Sequence, residues 1–316
     1  MNETHFDNNP NLSVNIAGIK FRNPVIAASG TFGNKSEYAD IFDISLLGGI
    51  CTKGLTMIPR PGNNGIRLWE TPGGLLNSIG LENQGIPYFI ENELPLLRRL
   101  GPVIIANLSG GESGEYVKGA KLLDESSVDM IELNISCPNV KVGGMAFGLD
   151  PGTAAALVSA VRRVCCKKPL MVKLSPNAPN LASVALACVN SGADVLSLVN
   201  TFKAMAIDTV NRKPVFDNII AGLSGPAIRP ITLRLVWELF DSLKESNLKV
   251  PIVGIGGIAC TNDALEFLMA GAAAVQVGSA TFVNPHTMIE IIDGIHQYMT
   301  ANKVQNISDI SIRDKS

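Results

Sequence analysis

Nowhere in its 316 residues does this chain carry a run of lysine and arginine, and its formal net charge is only -2. Without a strong positive field a surface neither neutralises a phosphate backbone nor adheres to anionic lipid, so the balance argues against nucleic acid and against membrane as partners. Long apolar runs are missing as well. Hydrophobic residues make up 46% of the chain, but they come in short stretches broken by Gly, Pro, Asn or Ser, far below the roughly 18 uninterrupted residues of a membrane span. The opening residues, Met1 to Asn11, are polar and lack the apolar centre of a secretory signal, so they read as a flexible leader on a cytoplasmic protein. Cysteine is scarce and scattered: Cys51, Cys137, Cys165, Cys166, Cys188 and Cys260 include no C-x-x-C pair. Such spacing builds neither a zinc site nor an iron-sulfur cluster, and in a cytoplasm it predicts reduced thiols. If electrons pass through this chain, they need another carrier. The three histidines, His5, His286 and His296, fall in the leader or the terminal helical region, away from every motif described below.

What the chain does have is regular alternation. Residues Leu12 to Phe21 turn at Ala17-Gly18 and predict a small β-hairpin. Apolar runs then follow at Pro24 to Ala28, Gly49 to Thr52, Val103 to Ala106, Val128 to Leu133, Leu170 to Val172, Val195 to Val199, Pro251 to Ile255 and Ala274 to Val277. Each reads as a strand buried on both faces, and most are separated by helical pattern. Helices are expected over Gly114 to Ser126, Thr153 to Lys167, Leu181 to Ser191, Pro230 to Lys249, Asn262 to Gly271 and Pro285 to Lys303. The helix from Thr153 is N-capped in the Asp150-Pro151-Gly152-Thr153 turn, and it would carry the adjacent Cys165 and Cys166. Eight buried strands alternating with helices predict an α/β fold: a single (β/α)8 TIM barrel domain over 1–316, its first 11 residues the leader. Its N-terminal β-hairpin is followed by insertions at the C-terminal face, over Thr56 to Gly85 and Phe202 to Pro226. An open doubly wound sheet is the rival.

In a parallel barrel every strand ends at one face, which would bring Ser29, Lys53, Asn107, Asn134, Lys173, Asn200, Gly256 and Gly278 around one cavity. Lysine is seldom buried unpaired, so two of them at strand mouths predict an anionic or electron-rich ligand between them. Gly256-Gly257 and Gly278-Ser279 follow the last two strands, where a barrel's final loops commonly hold phosphate. Gly254 and Gly256 do not continue into a dinucleotide fingerprint, so a flavin mononucleotide or a phosphosugar fits better. Between the amides of Asn134 and Asn139 stands the thiol of Cys137. Taken alone, that stretch is as readily a turn as a reactive site.

Several motifs together carry a resemblance: Asn134-Ile135-Ser136-Cys137-Pro138-Asn139, Asn77-Ser78-Ile79-Gly80-Leu81, Val172-Lys173-Leu174-Ser175-Pro176-Asn177, Asn200-Thr201 and Gly222-Leu223-Ser224-Gly225-Pro226. From Leu12 to the last helix the chain resembles dihydroorotate dehydrogenases. Cys137 is similar to the soluble class, and the continuation Val140 to Gly148 to the NAD-linked type. The resemblance implies FMN-dependent oxidation of dihydroorotate to orotate in pyrimidine biosynthesis, with Cys137 as catalytic base. One FMN per chain would contact Ser29, Lys53, Gly54, Asn107, Asn134, Lys173, Val199 and Gly225, its phosphate at Gly256, Gly257, Gly278 and Ser279. Dihydroorotate would be held by Lys53, Asn77, Ser78, Ile79, Gly80, Leu81, Asn134, Asn200 and Thr201. It further implies a partner subunit carrying FAD and an iron-sulfur cluster, on a homodimer core within a heterotetramer. No metal belongs to this chain.

Other functions stay open on these residues. A fumarate-linked dihydroorotate dehydrogenase would use the same site without a partner, and a reductase of related pyrimidines could reuse flavin and cysteine. An aldolase barrel could form a Schiff base at Lys173 without any flavin. A phosphate-binding barrel without catalysis would leave Cys137 and the amides unexplained.

Overall fold

A strand packed by helices on one side and by the barrel interior on the other must bury both faces, and the eight apolar runs do so. In the computed structural model, which describes residues 9–33, 38–136 and 147–313, they are β1 (Val25–Ala27), β2 (Gly49–Cys51), β3 (Val103–Leu108), β4 (Met130–Asn134), β5 (Leu170–Lys173), β6 (Val195–Leu198), β7 (Ile252–Ile255) and β8 (Ala274–Val277). All neighbours are parallel, and the sheet closes where Val275, Gln276 and Val277 of β8 pair with Val25, Ile26 and Ala27 of β1. Closure removes the open-sheet alternative.

Side chains alternate between interior and exterior along each strand. Ile104, Ala106, Ile131, Leu133, Leu170, Val172, Leu196 and Val275 join the outer core beneath the helices. Ile26, Cys51, Ile105, Met130, Met171, Val195, Val253 and Ala274 fill the interior together with Ile16 and Phe21 of the N-terminal hairpin. That hairpin, Val14–Ile16 paired with Ile19–Phe21 about the expected turn, thus closes the barrel floor. Two residues further along five of the strands, the same interior face carries Asn107, Glu132, Lys173, Ser197 and Gln276, all buried. A polar layer therefore rests on an apolar one.

Around the barrel run α1 (Leu94–Leu100), α2 (Ser113–Glu125), α3 (Pro151–Arg162), α4 (Leu181–Asn190), α5 (Arg229–Glu245), α6 (Thr261–Met269) and α7 (Thr287–Ala301). Between β1 and β2 the described residues hold only a 3-10 turn, Ile44–Leu46. Asp150 caps α3 as expected, accepting from the Thr153 amide at 2.8 Å and from its hydroxyl at 2.9 Å. The helix stops at Arg162, however, so Cys165 and Cys166 lie beyond it rather than on it. Asp124 explains the difference. Its carboxylate accepts from the amides of Cys166 at 3.2 Å, Lys167 at 3.0 Å and Lys168 at 2.9 Å, drawing that backbone out of helical pairing. Burial pushes the thiols of Cys165 and Cys188 up to about 12, in Cys165 with help from Asp124, so both remain protonated.

Burial also pushes the Asp124 carboxyl up, but the amides of Lys168, Lys167 and Cys166 outweigh it and hold it below its ordinary range. Asp124→Ala removes the acceptor of three partly buried amides and should cost about 1 kcal/mol, read from the urea midpoint. Because the folded state favours the carboxylate, that contribution is complete above about pH 4 and is lost as pH falls through the folded-state value. The gap between Asp124→Ala and the parent should therefore narrow in acid. A gap that stays constant would assign the loss to packing.

Both insertions are more ordered than irregular loops. The passage expected as a loop over Phe202 to Pro226 contributes Phe202–Ala204 and Ala221–Ser224, and the Thr56 to Gly85 passage contributes the hairpin of Leu68–Thr71 and Gly74–Asn77. These four segments form one antiparallel sheet, with Gly74–Asn77 beside Ala221–Ser224. At the chain start, Asn11 donates from its amide to Gln305 and accepts from Ile307, which ties the end of the expected leader to the residues after α7.

Candidate functional site

The strand ends and the insertion sheet enclose a cavity of about 340 Å3. All eight expected ring residues line it: Ser29, Lys53, Asn107, Asn134, Lys173, Asn200, Gly256 and Gly278. Gly54, Thr201, Gly225, Gly257 and Ser279 line it too, as does the stretch from Asn77 to Leu81. Val199 does not. Its side chain is buried in the outer core, and its amide donates to Ile255 O at 2.9 Å, joining the end of β6 to β7. Cys137 and the continuation from Val140 to Ala146 lie outside the described residues.

The lysines are not unpaired, contrary to the reasoning from sequence. Lys53 Nζ lies 3.8 Å from Glu82, which also binds Arg67 at 2.8 Å. Lys173, only 5% exposed, lies 3.8 Å from Glu132, which is 0% exposed. Glu132 Oε1 accepts from Ser197 Oγ and Gln276 Nε2, each at 2.8 Å. Its Oε2 accepts from Asn107 Nδ2 at 2.6 Å and Cys51 Sγ at 3.2 Å. A buried carboxylate is tolerated only when paired and fully hydrogen-bonded, and this one is both. Burial would push Glu132 up, but the Lys173 ammonium and then the Gln276, Cys51 and Asn107 donors hold it below the usual carboxyl range. Burial, reinforced by Glu132, drives the Cys51 thiol well above its ordinary value, so it stays a proton donor.

Above this layer the amides are oriented by one another. Asn200 Nδ2 donates to Asn134 Oδ1 at 3.2 Å and to Ser136 Oγ at 2.7 Å, while Ser136 Oγ donates to Asn134 Oδ1 at 2.8 Å. With its oxygen engaged from within, Asn134 lines the cavity with donor capacity in its amide nitrogen. Tyr116 fixes the same residue through its backbone, its hydroxyl donating to Asn134 O at 2.8 Å. On the opposite wall Asn77 Nδ2 donates to Gly222 O at 3.2 Å. Gly222 has no room for a side chain, since a Cβ there would stand 2.7 Å from Thr201 Cβ. Gly257 has φ +74°, and a Cβ on it would meet Gly225 O at 2.8 Å; only glycine allows this bare backbone at the cavity edge.

Reasoning from sequence overlooked Glu132 and Gln276. The available signal was a charge and an amide at interior positions of strands that bury both faces. The site as a whole offers one end of uncluttered backbone and a middle of buried cation and oriented amides. It suits a ligand that joins an anionic end to a planar polar ring. Among the described residues no helix is long and apolar enough to cross a membrane, and no cluster of side chains is suited to a metal ion.

The family model for dihydroorotate dehydrogenase matches residues 11–299. A protein of Petrotoga mobilis described as the catalytic subunit of dihydroorotate dehydrogenase B (NAD(+)) is 55% identical over 297 residues, 94% of this chain and 97% of the relative. Proteins of Pelobacter propionicus and Geotalea uraniireducens with the same description are each 50% identical over 302 residues, 95% of this chain and 97% of theirs.

Proposed function

We propose a function from one premise: this chain belongs to the dihydroorotate dehydrogenase family. It is the catalytic subunit of an NAD-linked enzyme that oxidises dihydroorotate to orotate in pyrimidine biosynthesis. That identity sets aside the fumarate-linked, aldolase and non-catalytic readings. Lys173 beside Glu132 is also better arranged as a cation than as an amine nucleophile.

The finer reading is that the cavity holds one FMN per chain. Two observations favour the fit: bare backbone at Gly256 and Gly257 for a phosphate, and a buried cation with oriented amides for a ring. Ser29, Lys53, Gly54, Asn107, Asn134, Lys173 and Gly225 would hold the ring system, and Gly256, Gly257, Gly278 and Ser279 the phosphate. Bound FMN supplies the hydride acceptor. Lys53 and Lys173 stabilise negative charge in the closed site, where it is worth more than in water. Asn77 to Leu81, Asn134, Asn200 and Thr201 bind the substrate's carboxylate and amide edges, since asparagine offers a donor and an acceptor without adding charge. Cys137 takes the proton from the ring methylene, while the hydride leaves the neighbouring carbon that bears the carboxylate.

The single observation that carries this reading is the ring of strand-end lysines and asparagines around one cavity. An anaerobic visible spectrum tests it: the purified chain should be yellow and bleach on adding dihydroorotate. A colourless chain that also fails to bind added FMN would sink it. We further propose a cytoplasmic heterotetramer built on a homodimer of this chain, with a partner subunit carrying FAD and an iron-sulfur cluster. Alone, the chain should then reduce NAD poorly; rapid NAD reduction by the pure single chain would contradict the arrangement.

Gly222→Ala probes the substrate wall. The added methyl would press on Thr201 and stand 3.3 Å from Asn77 Nδ2. Displacements of about 1 Å in positioning groups can cost up to about 10²-fold, so kcat/KM for dihydroorotate should fall by about 10- to 100-fold with the yellow colour retained.

A further inference from the structure

The amide of Gln276 has two ends in different circumstances. It stands in β8 with 1% exposure and lines the cavity. Its Nε2 donates to Glu132 at 2.8 Å, whereas its Oε1 is buried and has no hydrogen-bond partner among the described residues. Turning the amide over is no remedy. A carboxylate only accepts, so the turn would set oxygen against oxygen and forfeit the bond. Glu132 therefore decides which end of Gln276 is left over, and it is the acceptor.

Asn107 is treated the same way. Its Nδ2 is taken by the same carboxylate, which leaves its oxygen directed elsewhere, with only a long 3.5 Å contact from Ser109 Oγ among the described residues. Lys173 stands on that carboxylate too, with more N–H groups than Glu132 can use. The polar layer thus offers acceptor oxygens beside a cation. An imide, an N–H flanked by two carbonyls, is the complementary edge: the carbonyls suit the ammonium and the N–H suits an amide oxygen.

We infer that Gln276 Oε1 accepts the imide N–H of the bound cofactor, the N3–H that is the one N–H of an oxidised flavin ring, and that Glu132 is the positioning residue that keeps this acceptor turned outward. This rests on the FMN reading above. A buried acceptor in need of a donor selects for a ring that carries one, and it penalises a ring alkylated at that nitrogen.

The test strips the full chain of flavin and titrates it with FMN and with 3-methyl-FMN, following flavin fluorescence. The parent protein should bind FMN about 10- to 100-fold more tightly than the methylated cofactor. Gln276→Met, similar in size but without the oxygen, should bring that ratio to within about threefold, chiefly by weakening FMN. A purely structural role would weaken both ligands together and keep the ratio. An unchanged ratio in Gln276→Met, or equal affinities in the parent, overturns the inference. Should Gln276→Met fail to fold, the parent holoprotein carrying FMN labelled with 15N at N3 still decides. Its N3–H should exchange slowly and show cross-relaxation to the Gln276 side chain, and fast exchange or no such contact overturns the inference. A parent that binds neither flavin refutes the cofactor reading itself, a result distinct from binding without discrimination.

Discussion

Cys137→Ser lowers the rate at which dihydroorotate bleaches the flavin by about 10²- to 10⁴-fold, the range expected on losing a positioned general base. Orotate affinity should change by less than about threefold, because the hydroxyl keeps the shape and most of the polarity of the thiol. A free thiol near pKa 8.5 is a few per cent thiolate at neutral pH, whereas a serine hydroxyl is essentially never ionised there. The parent's bleaching rate should accordingly rise with pH as the thiol ionises and then level off, while the rate of the serine variant should stay low throughout. Stopped-flow spectroscopy under anaerobic conditions reads both. A serine variant that bleaches at the parental rate would remove Cys137 from the mechanism. Cys137 itself lies outside the described residues, but Asn134 and Ser136 just before it are buried and mutually hydrogen-bonded at the end of β4. The chain is thereby held at the cavity up to the residue preceding the thiol.

Lys173→Met should destabilise the fold by about 3–5 kcal/mol, the usual consequence of stranding a buried charge. Glu132, 0% exposed, would keep its neutral donors but lose the only ammonium within 4 Å among the described residues. The variant Glu132→Gln/Lys173→Met removes both charges and should recover most of that loss. The pH dependence separates charge from packing. In the parent Glu132 is held below the usual carboxyl range, so its contribution is complete above about pH 4.5 and is lost as pH falls through its folded-state value. Without Lys173, burial makes protonation the way to relieve the stranded charge, so acidification from neutral pH should narrow the gap between variant and parent. Urea midpoints at pH 5 and pH 7 are sufficient. A pH-independent gap, or a double variant no more stable than the single, would show that Lys173 acts through its hydrocarbon stem alone.

How much of this was legible in the sequence depended on the range of the forces involved. The eight strands were readable because burial on both faces imposes an apolar run that no turn or surface helix needs. Alternation with helices implied parallel strands, and parallel closure sends every strand end to one face, so residues as distant as Ser29 and Gly278 could be assigned to one cavity before any contact was known. The cap of α3 was readable because Asp150, Pro151 and Thr153 act within one turn.

What only the tertiary structure decided had partners too far away to infer. Glu132 sits in an apolar run, and nothing within that run distinguishes a tolerated charge from an isolated one. Its donors come from Cys51, Asn107, Ser197 and Gln276 on four other strands, and its counter-ion from Lys173 on a fifth. The two insertions read as loops because their short strands carry no clear alternation and join into one sheet only where Gly74–Asn77 of the first pairs with Ala221–Ser224 of the second, Asn77 with Gly222. Cys165 and Cys166 read as helical until Asp124 supplied an acceptor for the amides around them. Local composition determined which segments are strands and where they end. Barrel closure determined which polar groups meet, because an unpaired charge or amide in a low-dielectric interior is stable only when distant strands bring it a partner.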